Sequence, residues 1–163
     1  MRDERHAELL RVALCGPEGA ADLHRLTKLA FAGYDSLNPP SGALRETEAD
    51  VRNDLSAHWG ALASIEGRAV GGLRFEREAA YLHVRRVAVD PAYQRHGIGR
   101  ALMEWAHRYA AGQGYHEVRV GVRRELPGNR AFYERLGYRV VAEHSHPGHD
   151  EVTWYEMAVG LPP

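Results

Sequence analysis

Between Asp90 and Trp105 the chain reads DPAYQRHGIGRALMEW, and its middle carries residue types suited to anion chemistry. Gly97 and Gly99 stand one residue apart at the mouth of an amphipathic helix, flanked by Arg95, His96 and Arg100. Glycines let backbone amides approach a ligand closely, and the first turn of a helix offers N–H groups without intrahelical partners. A phosphate-bearing ligand is the chemistry this combination serves. A second cluster, EHSHPGHDE (143–151), offers His144, His146 and His149. Pro147 and Gly148 inside it read as a hairpin turn, and loop histidines seldom converge on a metal without help. No metal site is expected there, and a wall of an acceptor pocket is the preferred reading.

The elements that must position these groups follow from periodicity and turn residues. LLRVAL (9–14) suits a short strand, and Asp22 is placed to cap a helix carrying Leu23, Leu26, Leu29, Ala30 and Tyr34 toward a core. SLNPPSGALRETEAD (36–50) reads as a loop, and residues 47–58 as a polar helix. ALASIEG, AVGGLRFERE and AYLHVRRVAVD, divided by turns at Glu66-Gly67 and Glu78-Ala79, predict an antiparallel meander. A helix over 97–111 shows Ile98, Ala101, Leu102, Trp105, Ala106 and Tyr109 on one face, with Gly112 and Gly114 ending it. HEVRVGV (116–122), reached through that helix, should run parallel to the strand before it. NRAFYERL (129–136) is a short helix stopped by Gly137, and YRVVAE and EVTWYEMAV are two last strands. The order predicts one mixed α/β domain over residues 1–163.

The third meander strand holds an irregularity. Apolar residues occupy even positions at Leu82 and Val84 but odd positions at Val87 and Val89, so the alternation slips near Arg85-Arg86. An inserted residue, a β-bulge, explains the slip; burial of the strand on both faces is the alternative.

Two familiar phosphate motifs fail. A dinucleotide fingerprint needs Gly or Ala where Leu102 stands and belongs to an opening βαβ unit, and no Gly-Lys-Ser/Thr tripeptide exists for a P-loop. RRVAVDPAYQRHGIGRAL instead resembles the acyl-coenzyme A motif of the GNAT N-acetyltransferases, Gln/Arg-x-x-Gly-x-Gly/Ala, through Gln94, Gly97 and Gly99. Val87-Ala88-Val89-Asp90-Pro91 before it and NRAFYERLGYR after it resemble further segments of that family. The resemblance covers about 60–142 well, and the first 58 residues only as a strand plus two helices.

The resemblance implies the GNAT fold: α/β, a mixed six- to seven-stranded central sheet flanked by helices, with a bulged fourth strand. It implies acetyl-CoA as acyl-donor cosubstrate, its pantetheine arm paired along Val87, Ala88 and Val89 and its pyrophosphate on the turn from Gln94 through Arg95, His96, Gly97, Ile98, Gly99 and Arg100, with Arg130 a further candidate charge. Asn129 and Phe132 match cofactor-side positions of the second segment, and a helix N-cap explains Asn129 nearly as well. Tyr133 matches the tyrosine that protonates the departing sulfur; a phenol of pKa about 10 is a sensible acid for a thiolate of about 8.5. Where several relatives carry a glutamate as base this chain has His83, with Glu76 on the neighbouring strand in reserve. The bulge amide, that of Val87, would hold the carbonyl oxygen.

The expected activity is acetyl transfer to a primary amine, a small molecule rather than a protein, by direct attack in a ternary complex. A non-catalytic acyl-CoA-binding or sensing module is the alternative. A homodimer through the last strands is a third reading, unless Trp154, Tyr155, Met157 and Val159 complete the domain's own core. Glu46, Glu48, Asp50 and Asp54 border the expected acceptor region and would favour a cationic substrate, with an acidic solvent face of a helix as the plainer explanation.

Bulk composition fits this frame. A 163-residue chain with 44% hydrophobic residues can bury one core, and a net charge of -1 lacks the basic excess of a nucleic-acid binder. Cys15 is the single cysteine and reads as a small core residue, which with the charged, interrupted N-terminus leads us to expect a cytoplasmic protein with no membrane association.

Overall fold

A computed structural model of the protein describes residues 4–5 and 9–163. Its strands are β1 (Leu10–Cys15), β2 (Gly60–Ile65), β3 (Arg68–Arg77), β4 (Leu82–Val89), β5 (Glu117–Arg123), β6 (Arg139–His144) and β7 (Trp154–Gly160). The principal helices are α1 (Ala20–Ala30), α2 (Glu48–His58), α3 (Ile98–Gly112) and α4 (Pro127–Arg135). The strands form a mixed seven-stranded sheet in the order β1-β2-β3-β4-β5-β7-β6. The β4–β5 pair is parallel, as a helical crossover requires, while β1–β2, β2–β3, β5–β7 and β6–β7 are antiparallel. The chain packs as two compact units, one ending at Glu76 and resuming over Arg86–Ala106, the other made of Arg77–Arg85 and His107–Pro163.

In the first unit, helices are seated on a strand that wears glycine where they touch it. Gly71 and Gly72 are neighbours on β3 and so face opposite sides of the sheet. A Cβ on Gly72 would collide with Leu23 Cδ2 of α1. One on Gly71 would lie 2.9 Å from Ile98 Cγ2 and 3.1 Å from Leu102 Cδ1 of α3, and 3.1 Å from the Ala88 carbonyl oxygen of β4. Cys15, Ala20, Leu23, Val51 and Leu55 form a core beneath α1 and α2.

Several local expectations need correction. Pro17 starts a 3-10 turn over Pro17–Gly19, so α1 begins at Ala20 with Gly19, not Asp22, as its N-cap. The helix ends at Ala30, which leaves Tyr34 in a separate 3-10 turn and Leu29 exposed. Within the 36–50 loop, Gly42–Arg45 is a further 3-10 turn, and the Asn38-Pro39 peptide is cis. The polar helix is present as α2, held at its start by a capping box between Thr47 and Asp50. As expected, the two glycines end α3: Gly112 is its last residue and left-handed Gly114 (φ 88°) follows, with the Tyr115 N–H closing onto the Ala110 carbonyl.

Burial pushes the Cys15 thiol up to about 12, helped by the nearby carboxylates of Glu18 and Asp22. A thiol so far above neutral pH holds almost no thiolate, so the folded protein should resist a disulfide reagent at pH 8 and react stoichiometrically once denatured. Rapid labelling of native protein in a colorimetric thiol assay would contradict this.

In the second unit, Val118, Val120 and Val122 of β5 and Met157 of β7 are buried. β7 is paired on both sides, with β5 and with β6, so Met157 and Ala158 complete a sheet interior.

Candidate active site

At the step where the alternation slips, the backbone of β4 departs from a regular strand. Arg86 adopts φ 55°, a left-handed conformation foreign to a regular strand, midway along β4. Among the described residues the β4–β5 ladder comprises Leu82↔Val118 and His83↔Arg119, both before Arg86. The burial pattern differs from the expected one. After the bulge Ala88 is the buried residue, and Val87 and Val89 are only half-buried. Just past the strand's end the Asp90 N–H donates to the Val70 carbonyl at 2.8 Å.

From there the chain turns into α3 by two further left-handed residues. Asp90, 6% exposed, accepts a hydrogen bond from the Ala92 N–H at 3.0 Å and caps the 3-10 turn Pro91–Tyr93. Gln94 is extended, Arg95 left-handed at φ 69° and Gly97 at φ 74°. A Cβ on Gly97 would meet nothing within 4 Å, so glycine is required there by backbone conformation and leaves open space above it. The Ala101 N–H donates to the Gly97 carbonyl at 3.0 Å, the first turn of the helical ladder. The amides of Ile98, Gly99 and Arg100 precede it and are those a helix leaves to an outside acceptor. No acidic side chain stands in that turn to repel an anion. Ile98 is buried, whereas Gln94, Arg95 and Gly97 are exposed. His96 is half-buried, its ring 6.4 Å from that of Tyr93. Arg100, 70% exposed in its side chain, pairs along the helix with Glu104 at 2.9 Å.

Of the candidate bases, Glu76 lies on β3 in the first unit, and His83 on β4 in the second. Both are half-buried. The second unit also holds Asn129, Phe132 and Tyr133. Tyr133 is 8% exposed, its ring edge-on to Phe132 (centroids 5.0 Å apart) and to Tyr138 (5.4 Å). The Tyr138 hydroxyl is bonded to His107 Nε2 at 2.7 Å, and burial, with neighbouring Tyr133 a lesser cause, pushes it well above the usual phenol range. Asn129 is not the N-cap: Leu126 occupies that place, Pro127 opens α4, and exposed Asn129 is its third residue. Arg130 stacks over the Tyr155 ring at 4.8 Å.

The histidine cluster has structural partners. His144 stacks on Trp154 (centroids 4.0 Å apart) and bonds Glu156 at 3.0 Å, and His146 bonds Thr153 through both its backbone N–H and its ring. Desolvation holds His146 below the usual imidazole range, with Arg123 and His149 as lesser causes.

Sequence reasoning missed a set of charges in the first unit. Arg74, in the middle of β3, is 2% exposed. Its guanidinium donates to Asp54 at 2.9 Å and to Glu46 at 2.6 Å, and the second oxygen of Glu46 accepts from Arg86 Nε at 2.8 Å. Glu48 pairs with Arg52, and Asp50 belongs to the capping box. These four acids therefore bind this chain's own groups.

Comparison with known proteins agrees with this geometry. A model of the acetyltransferase (GNAT) family matches residues 22–138. The chain belongs to the GNAT acetyltransferase family. A mycothiol acetyltransferase of Beutenbergia cavernae is 30% identical over 129 residues, which cover 76% of this chain but 42% of that relative's length. Among solved structures, Ard1 from Thermoplasma volcanium aligns over 95% of this chain and 99% of its own (TM-score 0.76, 21% identity). The PaiA N-acetyltransferase of Thermoplasma acidophilum, solved in complex with coenzyme A, aligns over 93% and 98% (TM-score 0.76, 16% identity). At such identities the likeness is one of fold, and the GNAT fold is the architecture described above. Among the described residues no helix is long and apolar enough to cross a membrane.

Proposed function

We propose that the protein is an acetyl-CoA-dependent N-acetyltransferase that acetylates a primary amine on a small molecule by direct attack in a ternary complex. The observation that carries this reading is the succession of a left-handed residue in β4 at Arg86, the left-handed turn at Arg95 and Gly97, and the amide-bearing start of α3. The donor set suits a diphosphate: backbone N–H groups, a helix dipole and no opposing carboxylate. The relative named for mycothiol supports a small-molecule acceptor over a protein.

Acetyl-CoA supplies the acetyl thioester. The amides of Ile98, Gly99 and Arg100 would hold its diphosphate, with Gln94 and Arg95 beside them. The half-buried faces of Val87 and Val89 would line its tether, and the Val87 amide would donate to the thioester carbonyl oxygen. As the amine nitrogen bonds the acetyl carbon and the carbon–sulfur bond breaks, His83, or Glu76 in its stead, would take the amine proton and Tyr133 would give one to sulfur. Asn129 and Phe132, matched to the family's second segment, are assigned to the donor side.

The test is a panel of amines with acetyl-CoA, read as free thiol, alongside calorimetric binding of acetyl-CoA. We expect binding and thiol release with at least one small amine. Binding with no release across the panel would favour a non-catalytic binding module, and absence of binding would overturn both readings.

A further inference from the structure

Glu46 precedes α2 by two residues, in the segment between α1 and α2, while Arg86 is the left-handed residue of the β4 bulge. One carboxylate joins them. Its first oxygen accepts from Arg86 Nε at 2.8 Å, and its second accepts from Arg74 Nη2 at 2.6 Å. Arg74 is itself fixed by burial in β3 and by Asp54 of α2 at 2.9 Å. The two arginines and two carboxylates balance in charge, and Glu46 is 18% exposed in its side chain, so water competes weakly for its bonds. The Arg86 guanidinium lies under Gly42 of the 3-10 turn, where an added Cβ would come 3.6 Å from Nη2.

A left-handed conformation is costly for a residue with a side chain and persists only where its surroundings hold it. Arginine is also a weak choice for such a position on conformational grounds, since glycine adopts it freely. The side chain must therefore contribute something, and its bond to Glu46 is what it contributes. We propose that Glu46 is a positioning residue for the acyl-donor site: anchored on buried Arg74, it holds Arg86 left-handed and so fixes where the amides after the bulge point. This role rests on the acetyltransferase reading above.

Glycine at 86 separates this role from simple loss of an ion pair. Arg86→Ala loses the anchor but keeps the conformational cost, so its acetyl-CoA dissociation constant should rise about tenfold. Arg86→Gly also loses the anchor but adopts the left-handed conformation freely, so its affinity should stay within about threefold of wild type. A merely structural ion pair predicts the reverse order, glycine being the more disruptive. Neither variant touches the bonds of Arg74 to Glu46 and Asp54, so both should fold, as circular dichroism would check. Amide exchange over residues 82–89 without ligand gives a second readout, which should accelerate in Arg86→Ala and in Glu46→Gln relative to wild type.

Equal affinity of wild type and Arg86→Ala, or an Arg86→Gly protein weaker than Arg86→Ala, would overturn the inference and leave the acetyltransferase reading standing. Unchanged exchange in both Arg86→Ala and Glu46→Gln would overturn it as well. Wild type that fails to bind acetyl-CoA would overturn the acetyltransferase reading, and the positioning role with it.

Discussion

Tyr133→Phe should lower turnover about a hundred- to ten-thousand-fold, the span that positioned acid–base groups supply. The phenol hydroxyl is the only group removed. The ring keeps its edge contacts with Phe132 and Tyr138, so the fold and the donor affinity should change little. Steady-state thiol release against acetyl-CoA concentration should show the loss in kcat with KM nearly preserved, the mark of an interaction made in the transition state. Tyr138→Phe is the matched control. That hydroxyl is bonded to His107 and is held well above the ordinary phenol range by its burial, so its removal should affect stability rather than the chemical step. Equal turnover of Tyr133→Phe and wild type would remove Tyr133 from the mechanism.

Asp54→Ala should destabilise the protein by about 3–5 kcal/mol, the range for breaking a buried ion pair from one side. Arg74 cannot escape to water from its place in β3, and in the variant Glu46, already shared with Arg86, is the one partner left to it among the described residues. Nε of Arg74 is buried without a hydrogen-bond partner among the described groups, so the guanidinium has no reserve contact to fall back on. Urea unfolding followed by tryptophan fluorescence would measure the loss. Glu48→Ala makes the comparison: its bond to Arg52 is also 2.9 Å long, but both side chains are about half exposed, and such pairs contribute little. Similar midpoints for the two variants would show that Arg74 does not depend on Asp54.

What the sequence disclosed and what it withheld divide along physical lines. Local rules pointed to the right step of β4, since the apolar pattern changes at Arg85-Arg86 and Arg86 is where the backbone turns left-handed, although the burial that pattern implied for Val87 and Val89 is not what the fold shows. They found the turn into α3, because Gly97 answers a backbone need and Gly97's φ of 74° is that need. They misplaced the starts of α1 and α4, where Pro17 and Pro127 decide the entry and polar Asp22 and Asn129 only look like caps. They misjudged which face of β4 is covered after the bulge, since burial of Ala88 over Val87 depends on what packs there. The Arg74 network was beyond local reading altogether. An arginine between Leu73 and Phe75 in a strand reads as the solvent side of an alternation, and its partners lie 20 and 28 residues earlier. One signal was present: an acid-rich segment of Glu46, Glu48, Asp50 and Asp54 at the head of a helix needs cations somewhere, and β3 and β4 supply arginines.

The bare backbone of Gly71 gives α3 a hard stop. Its start packs through Ile98 and Leu102 against the bare main chain at position 71, so any side chain added there would have to lift the helix and its amides away from the sheet. The missing methyl group at position 71 is thus the gauge against which an anion's distance is set.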